Sequence, residues 1–421
     1  MPKFIEVLKN RNFFLLWLGQ IISQVGDRLG FMALIGFAYS KKAYGSPSEI
    51  FKVLLFTIIP VFLIGPLAGA YVDRWDRRRT MYASDFLRMA LVCIIPVFLF
   101  YVKNLAMAYF LIFIVFCIAR FFLTAKLSIV PDLVGRNDLL IANSLVNITG
   151  MIAFIVGSGI GGILVEWVGV ERGFYLDGLS FFVSAALIFF ISKKNTPPVN
   201  LIKIGEDIVE VIKKSVIREI KEGAKYFMNQ RDIRLTAVIL FVVSSALGVV
   251  SVVSIVFVQN TLHSATKDLG LLIMFLGLGL FSGSLVYGRF GQRVSHYKII
   301  FVSLILSGIM LIIFALGIHR YPYFAPAALL SFFLGFIASP ILIASNTIIH
   351  KTSNDEMRGK IFSSMEIVMH SGFLLFMYIS SILAEKFSHV LILVIIGCIF
   401  CVLGAISLLF PAIAEDHMYI N

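Results

Sequence analysis

Charge is scarce in this sequence. Only 14% of its 421 residues are charged, and acids are outnumbered by bases, 24 to 36. A soluble domain carries about 25% charge, so an ordinary water-facing surface is excluded. Cysteine is scarce as well. Cys93, Cys117, Cys398 and Cys401 all sit inside apolar runs, which excludes a disulfide framework. Cys398 and Cys401 have C-x-x-C spacing but no second ligand pair, so they read as small buried residues and no metal site is expected. Catalytic signatures are missing too. There is no H-E-x-x-H, no G-x-x-x-x-G-K-[ST] and no G-x-S-x-G. The chain is therefore not read as an enzyme, and no cofactor is expected. After Met1–Asn12, with Lys3, Glu6, Lys9 and Arg11, no short apolar region with a small-residue cleavage site follows. The first apolar run reads as a retained helix.

What the chain has in abundance is hydrocarbon. Hydrophobic residues make up 59%, 40 of the residues are Phe, and mean hydropathy is +0.95. The apolar runs are uninterrupted over about twenty residues, the length of a spanning helix, and not the alternating segments of about ten that a transmembrane barrel needs. The expected fold is an all-α membrane protein with twelve transmembrane helices. Their cores fall at 13–39, 51–72, 80–101, 105–126, 139–165, 172–192, 235–259, 269–289, 297–318, 323–349, 359–384 and 388–411. The only long polar interval is 193–234. The expected organisation is an N-terminal six-helix bundle over 1–192, a cytoplasmic linker over 193–234 and a C-terminal six-helix bundle over 235–421. In the linker, Val216, Ile220, Ala224 and Phe227 recur at helical spacing among charges. This fits an amphipathic helix on the inner membrane surface, or equally a solvated helix between the halves.

The net charge of +12 is explained by topology and not by nucleic acid. Lys and Arg concentrate in the N-terminus, the even-numbered loops and the linker. The odd-numbered loops hold only Lys41, Lys42, Lys52, Lys103, Arg172, Lys267, Arg320 and Lys386. Positive loops face the cytoplasm, so both termini are expected inside.

Polar groups inside spans are costly in lipid and usually face an internal cavity. The first span carries Gln20, Ser23, Gln24 and Asp27 as one stripe, with Arg28 adjacent. Asp27 could carry protons or form a permanent ion pair that fixes packing. Arg120 in the fourth span could hold an anionic group, pair with an acid, or snorkel to the inner interface. Ser363, Glu366 and His370 share a face of the eleventh span. A Glu one turn from a His can exchange a proton, or the two can form a neutral structural pair. Asn143 and Asn147, one turn apart in the fifth span, could line a path or bond between helices. Asp177, near the outer end of the sixth span, could cap or pair locally, or contact substrate.

The densest punctuation is the stretch from Gly65 to Arg79, where a glycine-spaced helix gives way to Asp73, Arg74, Asp76, Arg77 and Arg78. Gly279 and Gly283 repeat the G-x-x-x-G spacing of Gly65 and Gly69, and small residues so spaced let helices approach closely. After Gly283 the acid is lost, because Tyr287 stands where Asp73 would.

This stretch resembles the loop motif G-x-x-x-D-R-x-G-R-R of the major facilitator superfamily, with Gly69, Asp73, Arg74, Arg77 and Arg78 in place and Asp76 at the family glycine. That variant is similar to a branch of macrolide-type efflux proteins and bacterial siderophore exporters. Further matches are Ala83–Arg88, Ala119–Phe122, Pro131–Val134, Leu139–Leu145, Leu176–Phe181 and Met357–Phe362.

The resemblance implies a bacterial inner-membrane, proton-coupled exporter of small amphipathic molecules, working as a monomer by alternating access with a substrate site between the bundles. It also implies a latch on the inner side. Asp73 would sit near Arg358 and Gly359, and Arg74, Arg77 and Arg78 would pair with acids such as Asp85 and Asp132. A lysophospholipid transporter of a related branch, and a non-transporting receptor or scaffold, are the alternatives.

Overall fold

Asn10 ends one helix and begins another. Its side-chain oxygen accepts from the backbone N–H groups of Asn12 and Phe13, at 3.1 and 3.3 Å, and its amide donates to the Leu133 carbonyl at 2.7 Å. This N-cap satisfies donors that the first turn cannot and ties the chain start to a distant helix end. Before it lies α1 (Pro2–Lys9), and after it α2 (Arg11–Lys41). In the computed structural model, which describes residues 2–41, 46–72, 75–135, 138–192, 231–291, 294–352 and 355–409, every regular element is a helix.

Five more helices complete the first half: α3 (Pro47–Val72), α4 (Arg77–Pro96), α5 (Leu105–Leu133), α6 (Leu139–Val168) and α7 (Val170–Phe189). After Pro96, which lacks a backbone N–H, α4 runs on through a π-helical turn at Val97–Tyr101. Between α6 and α7 the chain breaks at Gly169, with φ of 93°, a conformation that glycine adopts without steric cost. The second half contains α8 (Arg231–Leu262), α9 (Lys267–Phe290), α10 (His296–Arg320), α11 (Phe324–Thr352), α12 (Asp355–Lys386) and α13 (His389–Leu409). Twelve helices, α2 to α13, are long and apolar enough to cross a membrane. The twelve expected spans are all present, displaced by a few residues at their ends. The expected amphipathic helix of the linker lies outside the described residues.

The chain divides into two compact units. One comprises Met1–Ser40, Lys52–Val216 and Ala265–Gly270, the other Lys41–Phe51, Ile217–Ser264 and Leu271–Asn421. In the first unit, α4 packs on α5 and α7. A core of Phe13, Leu16, Val72, Met81, Phe122, Ile129 and Ile188 fills the end where α2, α4, α5 and α7 meet. The glycines of α6 bring α2 close, since Gly157 lies against the Arg28 side chain and Gly161 against the Arg28 backbone. In the second unit, α8 packs on α12, and α10 on α11 and α13.

Gly279 and Gly283 of α9 lie against the Phe332 and Phe336 carbonyls of α11, and Gly335 of α11 lies against Leu276. Small residues on both sides thus produce the close approach expected of that spacing. Gly65 behaves differently, because a Cβ there would meet nothing within 4 Å. The two glycine pairs match in sequence, but Gly65 has no close helix to accommodate. At the position of the missing acid, the Tyr287 hydroxyl is 2.8 Å from His296 Nδ1.

Candidate functional site

The polar residues of the first span lie on α2. Gln20 and Ser23 are buried, and Gln24 Nε2 donates to Gln20 Oε1 at 3.3 Å. Gly150 of α6 gives the Gln24 side chain room, since a Cβ there would lie 3.1 Å from its Oε1. Asp27 ends the stripe. It is joined to a charged group that the stripe alone did not indicate, for Arg88 Nη1 of α4 lies 3.6 Å from Asp27 Oδ1. The other terminal nitrogen, Arg88 Nη2, donates to Asp85 Oδ1, and Ser184 Oγ of α7 donates to Asp85 Oδ2 at 2.6 Å.

Asp85 is 0% and Arg88 3% exposed, so these charges are withdrawn from solvent. Buried charges persist when paired and hydrogen-bonded, and here two ring faces add cation–π contacts. The Arg88 guanidinium carbon is 4.1 Å from the Phe181 centroid and 4.6 Å from that of Phe122.

This placement corrects one expectation. Asp85 is held inside the first unit by Arg88 and Ser184, where it serves as an anchor of the buried network and not as a partner for the loop arginines Arg77 and Arg78. Arg88 was legible only as an arginine inside a span, one turn from an aspartate. That i, i+3 pairing of opposite charges within hydrocarbon was the signal that could have flagged both.

Arg28 points from α2 toward α6, its guanidinium carbon 4.9 Å from the Phe154 ring centroid. On α5, the Arg120 side chain has a buried Nε without a hydrogen-bond partner, within electrostatic range of Asp27 and Arg88. Asn143 and Asn147 lie exposed on α6. On α12, the Glu366 side chain is exposed and His370 Nδ1 donates to the Glu366 backbone carbonyl at 2.7 Å. The contact seen between them is therefore ring to backbone. Asp177 caps no helix, since it lies in the third turn of α7 and is 5% exposed.

At the loop motif, Asp73 and Arg74 lie outside the described residues, as does the side chain of Arg358. Gly69 falls within α3. Arg77 Nη1 donates to Asp132 Oδ2 at 2.5 Å and to the Ser128 carbonyl at 2.9 Å, both on α5. Arg78 donates to the Phe189 carbonyl at the end of α7 and lies 5.5 Å from the ring centroid of that residue. Asp76 is the N-cap of α4, its Oδ1 accepting from the Arg79 N–H at 3.0 Å. The motif thus holds the ends of α4, α5 and α7 together within the first unit.

The sequence matches the model of the transmembrane secretion effectors over residues 5–417. The chain belongs to that family of major facilitator superfamily transporters. The chain is 25% identical over 413 residues to YfiS of Bacillus subtilis, an uncharacterised MFS-type transporter, across 95% of this chain and 93% of that protein. It is 22% identical over 378 residues to the multidrug efflux pump Tap of Mycolicibacterium fortuitum, covering 88% of this chain and 89% of that one. It is also 22% identical over 307 residues to macrolide efflux protein A of Streptococcus pyogenes, covering 72% of each.

Among solved structures, a peptide transporter of the POT family in complex with alafosfalin superposes with a TM-score of 0.70 at 14% identity, across 96% of this chain and 95% of that one. The nucleoside transporter NupG gives a TM-score of 0.70 at 12% identity, across 96% and 99%. These likenesses establish the fold. The chain is a multi-pass membrane transporter and not an enzyme.

Proposed function

We propose that this protein is a proton-coupled exporter of small amphipathic molecules, working as a monomer by alternating access in the bacterial cytoplasmic membrane with both termini inside. The observation that carries the reading is the Asp27–Arg88–Asp85–Ser184 network in the first unit. Asp85 is closed in by two partners, whereas the Asp27 side chain keeps 39% exposure and a looser 3.6 Å contact with Arg88. A carboxylate held by a shared cation yet open on one side can exchange a proton. Arg88 can then transfer its attraction wholly to Asp85, so the network has two charge states without a buried orphan. Arg28, Arg120 and Gln24 surround this exchange, Glu366 and His370 are the candidate proton site of α12, and Asn143 and Asn147 are candidate polar wall of the path.

Export, and amphipathic cargo, are supported by the efflux relatives, whose names specify macrolides and multiple drugs. The organisation proposed is a bundle over 1–192, a cytoplasmic linker over 193–234 and a bundle over 235–421. Asp73, Arg74 and Arg358 belong to the proposed inner latch together with Gly69, Arg77, Arg78 and Asp132.

The test is uptake of a macrolide and of a cationic dye into inverted vesicles, with and without a proton gradient. Wild type is expected to lose accumulation when the gradient is collapsed, and Asp27→Asn and Glu366→Gln to lose the gradient dependence. Unchanged coupling in both variants would overturn the assignment. Accumulation of lysophospholipid, but of neither probe, would move the reading to a lipid transporter.

A further inference from the structure

Asp177 Oδ1 on α7 is shielded from solvent and has no hydrogen-bond partner. The carboxyl is seated against the backbone of α2, where Gly26 and Gly30 leave the space for it. A Cβ at Gly26 would lie 3.0 Å from Oδ1, and one at Gly30 would overlap Oδ2. The same carboxyl opens on a cavity of about 30 Å³ that Asp27 also lines, with walls of Phe31, Ile112, Phe116 and Phe174. A cavity of that size holds a water or two. The charged and titratable groups around Asp177 are Asp27 and Arg28 from α2 and Arg88 and Cys93 from α4. From its own helix, the Ser180 hydroxyl donates to the Asp177 backbone carbonyl and also acts on its carboxyl. The part of α5 in the cavity wall contributes apolar side chains alone.

An ionised carboxylate with a bare buried oxygen is costly. A carboxylic acid in the same place becomes a donor with a water-sized cavity in front of it. Asp27 lines the same cavity and its side chain is 39% exposed.

We propose that Asp177 binds the coupled proton, receiving it through the water-sized cavity that it shares with Asp27. A hydronium entering the cavity gives its proton to the Asp177 carboxylate and remains as water, the carboxylate becoming a neutral acid. Release reverses the step through Asp27. Asp27 is then the gate of the proton site and Asp177 its seat. The inference rests on the proton-coupled reading above.

The test is pH-difference infrared spectroscopy of the full-length protein in lipid, which needs no substrate. Wild type is expected to show a protonated-carboxyl band that disappears as pH rises. Asp177→Asn should lose that band, Asp27→Asn should keep it with a displaced titration, and Gly30→Ala, which pushes a methyl against Oδ2, should shift it. A band that does not titrate in wild type, or that survives unchanged in Asp177→Asn, overturns the proposal. If Asp177→Asn does not fold, wild type with ¹³C-labelled aspartate must show an isotope-shifted titrating band that Gly30→Ala displaces, and an unmoved band overturns the proposal equally. A titrating Asp177 in a protein whose transport ignores the proton gradient would sink the coupled-export reading and leave the site standing. Gradient-driven transport in Asp177→Asn at the wild-type rate would do the reverse.

Discussion

Arg88 of α4 stands 3.6 Å from Asp27 of α2 while bound to Asp85 one turn away on its own helix. One guanidinium therefore serves two carboxylates, one open and one fully buried. Removing it leaves the buried Asp85 carboxyl with only Ser184 to bond it. Breaking a buried pair in this way costs about 3–5 kcal/mol. Arg88→Met is expected to lower thermal stability in detergent by that order. Adding Asp85→Leu should recover most of the loss, because a buried ion pair replaced by apolar groups is often neutral. A double variant no more stable than Arg88→Met alone would show that the cation acts through its ring contacts with Phe122 and Phe181.

Asp76 occupies the place of a family glycine, and the structure supplies the reason that the exchange works. As N-cap of α4 it accepts from the Arg79 N–H at 3.0 Å. Asp and Gly are both favoured at N-caps, whereas Ala is not. Asp76→Gly is expected to cost a few tenths of a kcal/mol and Asp76→Ala about 1 kcal/mol, measured by thermal unfolding. Equal losses in the two variants would refute a capping role.

The number and lengths of the spans were legible in the sequence because lipid imposes one strong rule, namely long apolar runs interrupted by charge. The polar stripe from Gln20 to Asp27 was legible for the same reason, since four polar groups at helical spacing cannot all face hydrocarbon. The partner of the stripe was not. Which cation reaches Asp27 depends on how α2 and α4 cross, and helical periodicity within one span carries no information about its neighbours. Asp85 illustrates the limit. The family resemblance implied the loop arginines as its partners, but a helix places residues i and i+3 side by side, and the cation bonded to it is Arg88. Asp177 was legible as an acid in a span that could cap, pair or touch substrate, but its seating was not, because it depends on two glycines of another helix.

Arg77 and Asp132 join α4 to α5 at 2.5 Å with side-chain exposures of 32% and 42%. Pairs so exposed contribute at most about 1 kcal/mol, and Arg77 retains its bond to the Ser128 carbonyl when the acid is neutralised. Asp132→Asn is therefore expected to unfold within a few degrees of wild type. Its effect should appear in transport rate if this contact belongs to the proposed latch. Initial uptake into inverted vesicles should fall for Asp132→Asn and for Arg77→Asp, and recover in part in Arg77→Asp with Asp132→Arg. A large stability loss with an unchanged rate would make the contact structural only.

Gly279 and Gly65 occupy corresponding places in the two sequence copies, yet a methyl group would fare differently at each. At Gly279 a Cβ would collide with the Phe332 carbonyl and approach the Phe336 nitrogen. Both are backbone atoms of α11 that cannot swing aside, so α9 and α11 would have to separate. Overpacking of this kind costs about 1–3 kcal/mol. At Gly65 nothing lies within 4 Å, and alanine has the higher helix propensity by about 1 kcal/mol. Gly279→Ala is expected to lower the unfolding temperature of the purified protein, and Gly65→Ala to leave it unchanged or raise it slightly. Destabilisation by Gly65→Ala as large as that by Gly279→Ala would mean that both glycines serve close helix packing and that the two copies are equivalent after all.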